Sequence, residues 1–277
     1  MSILLKNLHG NIGNMLWRIA CGEYYKMMHS MDEMVLLIKS DLDYERFQSV
    51  REWMGWEHYT VVRHSPKGIE FREFRKQLQV NTQYVPLPDI QPGENFWMSG
   101  ANESPLFFDN DRLYVHGLFH SGNPHIDGIY KEVRRLYPDI DWEHTVSINV
   151  RRGDKLKLQD KYVIPTPKFF KQAMALFPDC HFLVTSDDME YCRRVFVPMG
   201  NCTLAKRASA IYPKWLMDLY IQTWCRHNII SNSTFSWWGA YLNVHADRRV
   251  IFTQPWYKHR TAEQTDSIPG NDGWQAI

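Results

Sequence analysis

From residue 145 onward the chain alternates short, nearly all-apolar stretches with longer amphipathic ones, at 145–150, 167–177, 181–185, 189–196, 202–204, 215–225, 228–230, 235–245 and 249–252. Strands apolar on both faces belong in a sheet covered on both sides, and helix-length connections between them force parallel neighbours. The pattern predicts βαβ units with right-handed crossovers, whose ligand sites lie at the C-terminal ends of the strands. The start repeats the theme, with a strand at 3–5, a loop at 7–14, a helix at 15–28 and a strand at 34–38. Between 66 and 110, Pro, Gly, Asn and aromatic residues predict long surface loops with some helix near 70–78. A buried strand is expected at 113–119, a helix at 126–136 and a linker at 137–141. Two domains follow, 1–138 and 139–277.

Three polar clusters fall at strand ends of the second domain. The stretch from Asn228 to Ala240 reads as a buried strand, then Ser231, Asn232, Ser233 and Thr234, then a helix starting near Phe235. Such a helix turns its unpaired N–H groups and its positive dipole end towards Ser233 and Thr234, where an anion can sit. Ser, Thr and Asn are also ordinary N-caps, so this cluster alone does not choose between the two. A second cluster, Ser147 to Asp154, places Arg151 and Arg152 beside Gly153, and a guanidinium fork there suits a diphosphate. Successive strand residues face opposite ways, so Arg151 is expected at the ligand while Arg152 pairs with Asp154 or packs.

The third cluster is Thr185-Ser186-Asp187-Asp188. Adjacent aspartates invite a divalent-metal reading, but no further acid or histidine stands nearby in sequence. The alternative is that one carboxylate accepts hydrogen bonds from a base or ribose while the other caps the next helix. In the first domain, His9-Gly10-Asn11-Ile12-Gly13-Asn14 lies between strand and helix, and Gly10 and Gly13 permit close backbone approach to a ligand. It lacks the third glycine of a dinucleotide fingerprint, and a tight turn with Asn14 as cap fits equally.

Composition removes several classes. A net charge of +1 gives no general field towards nucleic acid or anionic membranes. Five cysteines with no CxxC pair argue against a disulfide framework and a zinc site, and fit a reducing compartment. The apolar run at 34–38 is far too short for a membrane span, so a soluble, cytoplasmic protein is expected. The 11 Trp and 14 Tyr suit sugar stacking and core packing alike.

These motifs resemble glycosyltransferase family 11, the α-1,2-fucosyltransferases. Gly10 to Leu16 is similar to the family's Gly-Gly-Leu-Gly-Asn-Gln-Met opening, and Ser147 to Asp154 to its His-x-Arg-Arg-Gly-Asp motif. Residues 182–192 resemble its Ser-Asp-Asp segment and residues 217–243 its last block, followed by Pro255-Trp256-Tyr257. The resemblance implies an α/β GT-B fold of two facing Rossmann-like domains with parallel sheets. The acceptor side would be 1–138 and the donor-binding side 139–277. It implies transfer of L-fucose from GDP-fucose to a glycan hydroxyl with inversion, most directly O-2 of a β-galactoside, with no cofactor and no required metal. Arg151 would hold the β-phosphate; Ser233, Thr234 and Phe235 the pyrophosphate; Asp187 or Asp188 the guanine or ribose. Gly10 and Gly13 would approach the donor, and Asn14 would stand near the reacting sugar. Asn149 replaces the motif's histidine, so it can hydrogen-bond a nucleoside but cannot take a proton. His9, Asp154 and Asp109 are candidate bases. Another GDP-deoxyhexose, another glycan or protein hydroxyl as acceptor, or a non-catalytic sugar-binding protein are the alternatives; no nucleic-acid partner or integral membrane segment is expected, and oligomeric state is not set.

Overall fold

A computed structural model describes residues 2–74, 84, 86–100, 103–258 and 274–277. The chain divides into two compact units between His125 and Ile126. The expected boundary lay at 138; the difference is one helix, Ile126–Leu136, which packs against the helix Lys214–Trp224 of the second unit.

In the first unit β1 (Ile3–Asn7), β2 (Glu33–Leu37), β3 (Thr60–Val62), β4 (Arg72–Phe74) and β5 (Phe96–Met98) form one sheet in the order β3-β2-β1-β5-β4, and every pairing is parallel. Helix α1 (Ile12–Met28) connects β1 to β2, and α2 (Asp41–Arg51) starts at Ser40, whose side chain accepts from Asp43 N. Leu5, Val35 and Leu37 pack together on one face. Two expectations are corrected here. Residues 72–74 form a strand, not helix; residues 75–78 lie outside the described residues. The run at 113–119 belongs to a helix, α3 (Arg112–Phe119). Asp111 accepts from Tyr114 N as its cap, Val115 and Phe119 are buried four residues apart, and Leu113 is 86% exposed, a spacing only a helix satisfies.

The second unit opens with α4 (Ile126–Leu136). Its sheet contains β6 (Thr145–Val150), β7 (His181–Ser186), β8 (Cys202–Leu204), β9 (His227–Ile230), β10 (Val250–Phe252) and β11 (Trp274–Ala276), ordered β11-β10-β9-β6-β7-β8 and parallel throughout. The helices are α5 (Pro167–Met174), α6 (Met189–Phe196), α7 (Lys214–Trp224) and α8 (Thr234–Tyr241). Thr166 caps α5, with Pro167 in the first turn where a missing N–H costs nothing. All of β6 is buried. Val146, Ile148 and Val150 join a core with Phe170, Phe182, Val184 and Ile229. On the opposite face, Asn228 Nδ2 donates to Ser147 Oγ at 2.7 Å and Asn243 Nδ2 donates to Asn228 Oδ1 at 2.8 Å. A polar network tolerated at that depth is one whose members partner each other. Among the described residues no helix is long and apolar enough to cross a membrane.

Candidate active site

Register explains why three distant segments meet. β6 pairs with β7 up to Val150 opposite Ser186, and with β9 up to Asn149 opposite Ile230. Arg151, Asp187 and Ser231 therefore leave the sheet on the same edge. That edge is the C-terminal one, and β6 and β9 are where the strand order reverses, the position at which open α/β sheets bind ligands. Ser231, 1% exposed, ties the strand ends together: its Oγ donates to Asn149 O at 2.7 Å and accepts from Arg151 N at 3.1 Å. Asn232 follows, its Nδ2 donating to Val163 O at 2.9 Å and Trp256 O at 2.7 Å. Ser233 holds the N-cap position of α8 in extended conformation, yet its hydroxyl makes no capping bond. The simple N-cap role thus leaves this hydroxyl unexplained, while the first turn, Thr234 and Phe235, presents the positive end of the helix to the same rim.

Both arginines are engaged. Arg151 Nη1 donates to Asp187 Oδ2 and Nη2 to Asp154 Oδ1, each at 2.6 Å. Arg152 Nε donates to Asp188 Oδ2 at 3.1 Å, and its guanidinium lies 3.7 Å from the Tyr191 ring centroid. Arg152 was expected to pair with Asp154 or to pack; it packs on Tyr191, and Asp154 pairs instead with Arg151, three residues before it on the tightly turned segment that follows β6. Asp188 caps α6 by accepting from Tyr191 N at 3.0 Å. That backbone bond, with Arg152 beside it, holds the Asp188 carboxyl below the usual carboxylate range. Asn149 is buried and donates Nδ2 to Thr185 Oγ1 at 2.9 Å, so this amide joins two strands within the sheet.

The first unit has a similar reversal, between β1 and β5. Gly10 has φ +89°, a conformation suited to glycine, and its N–H donates to Asp43 Oδ1 at 2.9 Å. Helix α1 begins at Ile12, with Asn11 at the N-cap position, so Gly13 and Asn14 lie inside the first turn and Asn14 is not the cap. Its Nδ2 donates instead to Glu103 Oε1 at 2.6 Å. Arg18, buried, donates to Asn14 O at 2.9 Å and sits 3.0 Å from His9 Nε2. Burial, opposed by Glu103 and Asp43, lowers the Arg18 pKa to about 10, so it stays charged at neutral pH. His9 shows part of its ring to solvent, yet partial burial and then the Arg18 guanidinium lower its pKa to about 4, leaving it neutral. Asp109 opens a 3-10 turn, Asp109–Asp111. Buried Glu103 had no sequence signal beyond being one acid in a loop; only the pairing of β1 with β5 brings it to Asn14.

Each rim thus carries fixed charge at a strand-order reversal. The second-unit rim combines a guanidinium with a helix N-terminus, a pairing that suits a diphosphate. Among the described residues no three His, Cys, Asp or Glu side chains converge on one point.

Comparison with known proteins places the chain among glycosyltransferases. The alpha-1,2-colitosyltransferase of Escherichia coli is 26% identical over 192 residues, which are 62% of this chain and 62% of that protein. Galactoside alpha-(1,2)-fucosyltransferase 1 of Alouatta belzebul is 29% identical over 193 residues, covering 66% of this chain and 50% of the relative. The chain therefore spans only about half to three fifths of the length of these curated relatives. The crystal structure of the NodZ alpha-1,6-fucosyltransferase co-crystallised with GDP superposes with a TM-score of 0.51 over 86% of this chain and 91% of that one, at 12% identity. That likeness is one of fold, and it puts the two parallel-sheet units in the GT-B class. The family model described as glycosyl transferase family 11 matches residues 114–274, more than half of the chain, and the protein belongs to that family.

Proposed function

We propose that the protein is an inverting glycosyltransferase that moves L-fucose from GDP-β-L-fucose to a glycan hydroxyl, O-2 of a β-galactoside in the first instance. The observation that carries this reading is the placement of Arg151 and the start of α8 on either side of the strand-order reversal in the second unit. The curated relatives, named as transferring fucose or colitose in α-1,2 linkage, support the sugar and the linkage.

In the proposed reaction the acceptor oxygen attacks C1 of fucose from the face opposite GDP. The C1–O bond to the β-phosphate breaks, its electron pair leaves with GDP, and the acceptor proton passes to a base or solvent. Negative charge grows on the leaving diphosphate. Arg151, the Ser233 and Thr234 hydroxyls and the first turn of α8 through Phe235 would stabilise that charge without a metal. Asp188, already an α6 cap, would stand at the ribose side of the same rim. Within the first unit, Asn14 and Gly10 at the start of α1 are the acceptor-side residues of this reading, with His9 beside them as its candidate proton acceptor. Asp154, paired with Arg151, is better suited to balancing charge than to taking a proton. A cytoplasmic, reducing setting belongs to the same reading and is supported by five free thiols.

One relative's name favours a second donor, another GDP-deoxyhexose. Incubation with GDP-fucose or such a donor, a panel of β-galactosides and EDTA, followed by linkage analysis, tests the proposal. Formation of an α-1,2-fucosyl product supports it. Hydrolysis alone, or strict dependence on a divalent metal, refutes it.

A further inference from the structure

Arg151 has two carboxylate partners, and they are held very differently. Asp187 is locked. Its Oδ1 accepts the backbone N–H of Arg152 at 2.9 Å and its Oδ2 accepts Nη1 of Arg151 at 2.6 Å. The chain turns tightly around it at Gly153, where an added Cβ would lie 2.5 Å from Asp187 Oδ2 and 3.3 Å from Cγ. The β6–β7 register, Val150 opposite Ser186, sets Asp187 beside Arg151. Asp154 is loose by comparison: its side chain is 54% exposed, against 24% for Asp187, and among the described residues its carboxylate is held by Arg151. One edge of the guanidinium is therefore fixed and the other borrowed.

We propose that Asp187 is a positioning residue that aims Arg151 at the donor diphosphate, and not a reader of the nucleotide's base or ribose. Each of its oxygens already accepts a hydrogen bond at the end of β6, which commits the carboxylate to Arg151 and to the Arg152 N–H. On donor binding the phosphate takes the Nη2 edge from Asp154, while Nη1 stays on Asp187. A planar fork held on one side loses less freedom when its other side binds. The inference rests on the proposed diphosphate site.

The test is equilibrium binding of GDP and of inosine diphosphate, which lacks the 2-amino group, to the whole chain and its variants. Asp187→Asn keeps the shape and an acceptor for Arg152 N but loses the charge that holds Arg151. It is expected to weaken GDP by about tenfold. Inosine diphosphate should weaken by the same factor, and the effect should vanish in an Arg151→Ala background. Gly153→Ala, which pushes the carboxylate aside without changing it, should reproduce the loss in folded protein. Asp154→Asn, removing the competing partner, should tighten GDP a few-fold. A changed ratio of GDP to inosine diphosphate in Asp187→Asn would overturn the inference, because it would mark Asp187 as a base reader. So would an undiminished Asp187 effect when Arg151 is absent. If instead the wild type binds neither nucleotide, or Arg151→Ala binds as the wild type does, the diphosphate site itself is wrong and the inference goes with it.

Discussion

Removing one buried hydroxyl should loosen the whole donor-side rim. Ser231 is the hinge between the ends of β6 and β9, and its Oγ serves two backbone groups, the carbonyl of Asn149 and the N–H of Arg151. Ser231→Ala deletes both bonds and leaves both groups unsatisfied at a position that is 1% exposed. Each of the two stranded buried partners costs about 1–3 kcal/mol, so a loss of about 2–6 kcal/mol is expected. Against a typical domain stability of about 5–15 kcal/mol that is a large fraction. For a unit of this size it corresponds to a drop in Tm of about 10 °C. Urea titration followed by tryptophan fluorescence reports on this unit through Trp237 and Trp238, fully buried in α8, and on the first unit through Trp17 and Trp56, so the part of the transition that moves is the second unit's. The midpoint should fall with the slope unchanged. A loss below about 0.5 kcal/mol would refute the reasoning, since it would mean the strand ends are not joined through this hydroxyl.

Other outcomes follow from the same packing and electrostatics. In Gly239→Ala the new Cβ would lie 2.7 Å from Gln222 Cβ and 2.8 Å from its Cδ, so α7 and α8 must part; a loss of about 1–3 kcal/mol is expected in chemical denaturation, and wild-type stability would contradict that contact. His120, its pKa lowered to about 4 by burial and then by His116, is neutral when folded. Its stabilising contribution is complete above pH 6.5 and disappears as pH falls through 4. Urea midpoints at pH 7 and 5 should therefore differ more in the wild type than in His120→Gln. Asp218 has the opposite sign: burial, against the attraction of Lys214, raises its carboxyl to about 6, so its unfavourable ionisation grows as pH rises from 3.8 through 6. Asp218→Asn should flatten that slope, and an unchanged slope would show that Asp218 is already ionised at pH 5.

What was legible in the sequence was whatever depends on local pattern. The alternation after residue 145 predicted β6, α6 and β8 with their observed bounds, since fully buried strands and amphipathic helices each leave a period in the chain. The seven-residue run at 113–119 was misread because a short apolar stretch fits strand or helix. Asp111 as a cap and the Val115–Phe119 spacing were the signals that separate them. β3, β4 and β5 were missed because three-residue strands carry almost no period, and what makes them strands is pairing with distant partners. The candidate site divides the same way. Arg151, Ser233 and Thr234 were recognisable from residue type at a strand end, whereas the Arg151–Asp187 bond, the buried Asn149 amide and the Asn14–Glu103 contact depend on register across the sheets.

The most direct measurement is a crystal structure of the protein with GDP, grown in the presence of EDTA. The account expects the nucleotide on the C-terminal edge of the β6–β9 sheet, with its β-phosphate within hydrogen-bonding distance of the Arg151 guanidinium and of the first turn of α8. GDP bound elsewhere, or bound only when a divalent cation bridges its phosphates to Asp187 or Asp188, would contradict it.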